Sequence, residues 1–179
     1  MLFRSSDILL KLRIDTVRAM CTPSTRLLDV CCASGEHLLH LAGAVDTGVG
    51  VDFSQQFLDA ARRRALERAV PNAAFIHANA RALPLADGCM DIAYSFSSLY
   101  YIPEVIQVFR EVWRVLAPGG CFVAELGNLW SLNTIVCRAY PELAHPCHIP
   151  VAQMVRDIGQ AGFRIERQDR KSTRLNSSH

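Results

Sequence analysis

No stretch of this sequence approaches the ~20 uncharged apolar residues that a membrane-spanning helix needs. The longest uncharged candidate, residues 126–137, is too short and contains two asparagines and a serine. The first residues also lack the basic start, the apolar run and the small-residue cleavage site of a secretory signal. These absences predict a cytoplasmic protein without a membrane span.

The cysteines lack the arrangements that are typical of disulfide frameworks and zinc sites. They are seven, an odd number, and no Cys-x-x-Cys pair occurs among them. Several lie inside apolar runs, as Cys121 does beside Phe122 and Val123. We therefore expect reduced, mostly buried thiols, as is usual in the cytoplasm.

The sequence also has little net charge. It has 19 basic and 17 acidic residues, a formal charge of +2. Residues 169–179 show no apolar periodicity and resemble, residue for residue, the translation of a common sequencing-adapter oligonucleotide, so we interpret them as a non-native tail. Without that tail, 16 basic and 16 acidic residues remain. A neutral domain gives no reason to expect nucleic acid as a partner.

Half of the residues are apolar, and their pattern predicts strands that alternate with helices. Such alternation is typical of an α/β domain with a parallel sheet, which binds ligands at the carboxyl ends of its strands. We expect a helix and linker over residues 1–25 and the ligand-binding domain over 26–168. Strands are predicted at 26–30, 47–51, 74–78, 90–96, 121–126 and from 163, with helices at 5–20, 55–69, 103–116 and 151–161.

The junction from Asp29 to Gly35 is rich in small residues and joins the first strand to a helix. Small residues allow a ligand to approach the backbone, and a helix N-terminus offers free N–H groups. Asp52 ends the second strand, where an acidic residue is suited to bind ribose hydroxyls. Alternatively, the junction is an ordinary tight turn, and Asp52 is a helix-terminal charge that competes with Ser54 as a cap.

The same junction argues against a dinucleotide. A pyrophosphate-binding turn has the pattern Gly-x-Gly-x-x-Gly, which brings the phosphates to the helix N-terminus. Here only Gly35 is a glycine, and Glu36 would face the phosphates with like charge. A cofactor without phosphates fits better, which makes a nicotinamide-dependent oxidoreductase the less favoured hypothesis.

At this point the sequence resembles the class I methyltransferases, in particular the type 11 small-molecule family that includes the quinone methyltransferases. Five segments match that family's motifs in order and spacing, and they lie at residues 28–35, 49–54, 77–85, 90–96 and 109–120. The resemblance implies a Rossmann-like three-layer sandwich with a mostly parallel sheet in class I methyltransferase order. In that family a seventh, antiparallel strand lies beside the sixth. Because the chain without its tail stops in or just after the sixth strand, we expect the seventh to be missing, which leaves an exposed edge between the fifth and sixth strands.

The resemblance also implies S-adenosyl-L-methionine as the cofactor. Asp52 would then hold the ribose, Phe53 would cover the adenine, Asn79 would meet the adenine amino group, and the Ala80 N–H would meet a ring nitrogen. Ala33, where the family has a glycine, would crowd the methionine moiety. The cofactor-binding residues implied in this way are Asp29, Cys31, Ala33, Gly35, Asp52, Phe53, Asn79, Ala80 and Phe96.

No residue is identified as a catalytic base, and methyl transfer needs one only when the acceptor must lose a proton. Ser97, Tyr100 and Tyr101 follow the fourth strand, where they either contribute to catalysis or form the wall of the acceptor pocket. His145 and His148 are loop candidates, but their spacing from Cys137 and Cys147 matches no usual zinc pattern, so no metal is expected.

The connection over residues 127–149 is long and apolar, which is typical of a lid over a small, apolar acceptor. The leading hypothesis is methyl transfer from S-adenosyl-L-methionine to a small molecule. The alternative is a methyltransferase-like domain that has lost catalysis and serves binding or scaffolding. The sequence gives no indication of the oligomeric state.

Overall fold

The computed structural model describes residues 5–126, 150–168 and 173–177. Together they form a seven-stranded sheet with helices on both faces. The strands are β1 Arg26–Val30, β2 Thr47–Asp52, β3 Ala73–His77, β4 Met90–Ser95, β5 Leu116–Ala124, β6 Phe163–Gln168 and β7 Thr173–Ser177. The helices are α1 Ser5–Arg18, α2 Glu36–Leu41, α3 Gln55–Glu67, α4 Val105–Val115 and α5 Val151–Gln160, with short 3-10 turns at Ala42–Ala44 and Leu99–Tyr101.

The sheet has the order β3-β2-β1-β4-β5-β7-β6, and its first five strands are parallel. The chain order reverses between β1 and β4, which places a crevice at the carboxyl ends of these two strands. The predicted Rossmann-like fold with a mostly parallel sheet is therefore confirmed.

Two apolar cores lie on opposite faces of this sheet and give the domain its three layers. One core packs α4 and α5 against the sheet through residues such as Phe109, Val112 and Ile158. The other core packs α1, α2 and α3 through residues such as Val17 and Leu38. Because both faces are covered, the parallel strands are nearly continuous apolar runs rather than alternating ones.

The expectation of a missing last strand is wrong. Thr173–Ser177 pairs antiparallel with β5 on one side and with β6 on the other, and so fills the slot between them. Backbone N–H and C=O groups make the bonds of a ladder, so a slot between two open strand edges accepts a segment with little apolar pattern. The exposed edge that we expected between β5 and β6 is thereby paired. The adapter origin of residues 169–179 stays a prediction.

Most element boundaries differ from the sequence-based prediction by one or two residues, and two of the differences have a visible structural cause. Strand β5 begins at Leu116 instead of 121, since Leu116 pairs with Met90 ahead of an irregularity in the β4 ladder. Helix α4 begins at Val105, and Glu104 precedes it in a left-handed conformation, so Pro103 is not the first helical residue. Ser54 caps α3 as predicted, since its hydroxyl accepts the Phe57 N–H at 3.4 Å.

Among the helices that the structure describes, none is both long and apolar enough to cross a bilayer.

Candidate functional site

The turn after β1 lies at the carboxyl edge of the sheet and has an unusual backbone. Cys31, Ala33 and Gly35 have φ angles of 63°, 45° and 74°, so two residues with a Cβ share the left-handed region with one glycine. Any other residue at position 35 would be strained, because a Cβ there would lie 2.6 Å from a ring carbon of Phe75. The Cys32 N–H donates to the Val51 carbonyl at 3.0 Å, which ties the turn to β2.

Asp52, the last residue of β2, makes the second tie to this turn. Its Oδ2 accepts the Ala33 N–H at 2.8 Å, and its Oδ1 accepts the Ser54 N–H at 2.9 Å. The residue is only 5 % exposed. The carboxylate therefore joins the turn after β1 to the start of the turn after β2.

A pocket of about 360 Å³ opens beside Asp52 at the ends of β1, β2 and β3. Phe53 and Tyr101 belong to its lining and are 77 % and 53 % exposed. The pocket gathers five of the residues that the family resemblance implied. Its lining consists of Cys31, Val51, Asp52, Phe53, Ala78, Asn79, Ala80, Arg81, Tyr101, Ile102 and Pro103.

Four of the implied residues do not line this pocket, namely Asp29, Ala33, Gly35 and Phe96. Asp29 is buried and accepts the Tyr94 hydroxyl at 3.0 Å, so its carboxylate is used inside the sheet. Burial raises the pKa of Asp29 to about 7, although the hydrogen bond from Tyr94 acts in the opposite direction. Ala33 and Gly35 shape the turn through their backbone.

Asn79 and Ala80 lie in the turn after β3 and line the pocket. The Asn79 side-chain oxygen accepts the Arg81 N–H at 2.9 Å, and the Asn79 carbonyl accepts the Ala82 N–H, also at 2.9 Å. The Ala80 N–H donates to none of the residues that the structure describes. This short turn therefore contributes Asn79 and Ala80 to the pocket lining, and its Ala80 N–H has no partner among the described residues.

The segment after Asn79 is held in place by hydrogen bonds from Arg114 of α4. Its guanidinium donates to the Leu83 carbonyl at 3.0 Å and to the Leu85 carbonyl at 2.8 Å. Glu111, which pairs with Arg114 at 2.8 Å, accepts the Leu83 N–H at 2.7 Å. A helix on one face of the sheet thus holds the loop that carries part of the pocket.

A second polar cluster lies where β4 and β5 end. Arg13 of α1 donates through Nε to Glu125 Oε1 at 2.8 Å and through Nη2 to Glu125 Oε2 and the Ser97 hydroxyl. The guanidinium also lies over the Phe96 ring, 5.4 Å from its centre. Both charged side chains are about 85 % buried, at 14 % and 15 % exposure, so α1 is bound to the sheet edge by a sheltered ion pair.

His37 and Tyr100 border this cluster. The His37 ring packs 5.2 Å from Phe96, and its buried Nε2 has no partner among the described residues. Burial lowers the pKa of His37 to about 4, and the nearby Arg13 charge adds to that effect. Burial also raises the pKa of Tyr100, against the effect of its hydrogen bond to Ser97. The Tyr100 ring lies 4.6 Å from Tyr101, which connects the cluster to the pocket.

Sequence reasoning named Ser97 and the two tyrosines but missed Arg13, His37 and Glu125. The sequence does contain a signal for Glu125, because an acidic residue directly after a parallel strand lies at the ligand-binding edge of the sheet. Asp52, the last residue of β2, has an equivalent position. Arg13 lies 112 residues away from Glu125, and no local pattern indicates that pairing.

The predictions for residues 127–149, including the lid, His145 and His148, lie outside the described residues. In the part of the chain that is described, no group of three or more histidine, cysteine or acidic side chains is arranged to hold a metal.

Comparison with known proteins identifies the family. The methyltransferase domain family matches residues 27–120, just over half of the chain. This chain therefore belongs to the methyltransferase domain family and has the class I methyltransferase fold.

The curated relatives that it matches include two bacterial enzymes. It is 35 % identical over 114 residues to a demethylmenaquinone methyltransferase of Listeria monocytogenes, which covers 62 % of this chain and 48 % of the relative. It is also 35 % identical over 97 residues to the demethylmenaquinone methyltransferase of Lactococcus lactis, covering 52 % and 38 %. The chain thus spans about half the length of these relatives.

Solved structures agree on the fold. The YcgJ protein from Bacillus subtilis matches with a TM-score of 0.76 at 23 % identity, covering 89 % of this chain and 70 % of its own. A methyltransferase from Aquifex aeolicus that depends on S-adenosylmethionine matches at 0.74 with 14 % identity and covers 97 % and 93 %. The [4+2]-cyclase SpnF matches at 0.69 with 27 % identity and covers 87 % and 57 %.

Proposed function

We propose that the protein transfers a methyl group from S-adenosyl-L-methionine to a small molecule in the cytoplasm. The observation that carries this proposal is the pocket at the strand ends, which combines a buried carboxylate, an exposed aromatic ring and a backbone donor. These are the groups that an adenosine needs, and they stand where this fold binds its ligands.

The residues of the pocket fit an adenosine. A carboxylate has about four acceptor positions, and the two N–H bonds of Asp52 use only two of them. The remaining positions suit the two ribose hydroxyls. The exposed Phe53 ring offers a stacking surface for adenine, which is worth ~1–3 kcal/mol in base–aromatic pairs. Asn79 has acceptor capacity left for the adenine amino group, and the Ala80 N–H suits a ring nitrogen.

A dinucleotide fits this site less well. The turn after β1 carries Cys31 and Ala33 where close approach of a pyrophosphate requires glycine. Glu36 occupies the first turn of α2, and Arg64 and Arg68 already pair with it at 3.5 and 3.1 Å. These two guanidinium groups at the helix N-terminus are thus already occupied by a carboxylate and are not free to bind phosphates.

When bound, the cofactor supplies a methyl group that is already activated by a positive sulfur. The protein then has to bind, to align the acceptor and to exclude water. In our proposal Asp52, Phe53, Asn79 and Ala80 hold the adenosine. The polar cluster around Ser97 and Glu125 borders the acceptor side.

The acceptor that we propose is small and apolar. The support comes from relatives whose names specify demethylmenaquinone as the substrate, and from the apolar composition of residues 127–149. Nothing in the charge balance favours a nucleic acid.

Turnover tests the proposal directly. The protein would be incubated with S-adenosylmethionine and a panel of acceptors that includes a reduced, short-chain demethylmenaquinone, and S-adenosylhomocysteine would be quantified by mass spectrometry. We expect S-adenosylhomocysteine to form in amounts equal to the methylated acceptor. A variant with Phe53→Ala is expected to need about tenfold more cofactor for the same rate. Folded protein that binds the cofactor but releases no S-adenosylhomocysteine with any acceptor would contradict the proposal.

That negative result would support a second candidate, a binding or non-methylating domain on the same fold. Two observations favour it: the likeness to a [4+2]-cyclase at 27 % identity, and Ala33 in a left-handed position of the cofactor turn. Binding without turnover would distinguish it from the leading proposal.

A further inference from the structure

The turn after β1 has a strained backbone, because two of its residues that carry a Cβ adopt left-handed conformations. Ala33 has a φ of 45° and Cys31 a φ of 63°. In this region the Cβ of an L-residue is too close to its own backbone, so the conformation persists only where the surroundings enforce it. Something else in the structure must hold this turn.

The contacts of Asp52 point to that restraint. Its Oδ2 accepts the N–H of Ala33 itself at 2.8 Å, while Oδ1 is held by the Ser54 N–H at 2.9 Å. Both bonds are charge-assisted, and both are sheltered because Asp52 is almost fully buried. The Ser54 bond fixes the orientation of the carboxylate, so Oδ2 is held in place to accept the Ala33 N–H.

We propose that Asp52 is a positioning residue that holds the turn after β1 in its left-handed conformation around Ala33, before any ligand is bound. The hydrogen bond to the carboxylate stabilises a positive φ at position 33, which a glycine would adopt without such a bond. The pocket is thereby shaped in the ligand-free protein. This inference concerns the ligand-free state and stands independently of the proposed function.

The proposal predicts that positions 33 and 52 are energetically coupled. A glycine at 33 adopts a positive φ without help, so it needs the Asp52 bond less. Removal of the carboxylate should therefore matter more with alanine at position 33 than with glycine. If Asp52 served only the ribose, the residue at position 33 would not change the effect on the ligand-free protein.

A double-mutant cycle measures this coupling. Thermal unfolding of the ligand-free wild type, Asp52→Asn, Ala33→Gly and the double variant would be compared. We expect Asp52→Asn to lower the melting temperature by about 6 °C in the wild type and by less than about half as much beside Ala33→Gly. Asp59→Asn on α3 removes an exposed carboxylate and should have the same small effect in both backgrounds. Equal losses from Asp52→Asn in the two backgrounds would overturn the proposal.

Hydrogen exchange tests the same bond in the unmodified protein. The Ala33 and Ser54 amides should exchange at least about tenfold more slowly than the Ala80 amide, because only the first two donate to a buried acceptor. Exchange of all three at similar rates would contradict the restraint, whatever the stability of the variants.

Binding of S-adenosylhomocysteine separates positioning from direct contact. Under our proposal Ala33→Gly restores affinity by a larger factor in the Asp52→Asn protein than in the wild type, because the glycine repairs the turn but not the ribose contact. Equal factors in both would mean that Asp52 acts only by contact. If no variant binds the probe, the proposed function fails, whereas the unfolding cycle and the exchange rates still decide the positioning role.

Discussion

Replacement of Gly35 by alanine is expected to lower the melting temperature by about 6–12 °C, which corresponds to a loss of about 3 kcal/mol in the free energy of unfolding. The new Cβ would lie 2.6 and 2.8 Å from two ring carbons of Phe75 and 3.1 Å from the Cβ of Ala61. The φ of 74° adds a conformational cost that glycine does not have. Phe75 is buried in the core under α3, so its ring has little room to move.

Gly43→Ala is the matched control, since a Cβ at that position meets no atom within 4 Å. Its melting temperature should stay within about 2 °C of the wild type. Thermal unfolding followed by circular dichroism checks both variants. Similar melting temperatures for the two variants would mean that the turn before α2 is not built as the structure has it.

Removal of the Arg13 side chain is also expected to lower the stability of the protein strongly. In Arg13→Ala the Glu125 carboxylate, which is 15 % exposed in the wild type, loses its charge partner and keeps the Ser97 hydroxyl as its described hydrogen-bond donor at 3.3 Å. Breaking such a sheltered pair costs about 3 kcal/mol, so we expect a fall of about 6–12 °C in the melting temperature. The amides of α1 should also exchange faster, since the ion pair is what ties this helix to the ends of β4 and β5.

The partner variant makes the test specific. Glu125→Gln in the Arg13→Ala background removes the unpaired charge, and we expect it to recover part of the lost stability. Lys11→Ala serves as the control, because Lys11, among the described residues, pairs only with Asp15 on the exposed surface of the same helix and should change stability little. A loss from Arg13→Ala no greater than from Lys11→Ala would contradict a sheltered pair.

Much of the sheet could be predicted from the sequence, because buried parallel strands are short apolar runs between turn residues. The start of β5 could not, since Leu116 joins the sheet through its pairing with Met90, which is a long-range contact. Strand β7 was missed for a related reason. Its place depends on two unpaired neighbouring edges, and a search for apolar periodicity does not detect a segment that pairs by its backbone.

The sequence predicts which residues lie near the candidate site, but not which partners their side chains contact. Asp52 was expected in the pocket, because residues at the carboxyl ends of parallel strands line the ligand crevice, and Phe53 was expected there from the family resemblance. The same resemblance placed Asp29 there, yet it is the register partner of Tyr94 on β4, so the two side chains meet inside the protein. The Asp52 bond to Ala33 and the Arg13 pair with Glu125 cross between distant segments, which only the folded chain brings together.

Isothermal titration of the purified protein with S-adenosylmethionine and, separately, with NADH distinguishes the two cofactor classes. We expect S-adenosylmethionine to bind at one site per chain and NADH to give no measurable heat. We also expect Asp52→Ala to weaken the binding of S-adenosylmethionine by about 1–3 kcal/mol. Binding of NADH, or no heat from S-adenosylmethionine in a sample shown to be folded, would contradict the proposed cofactor.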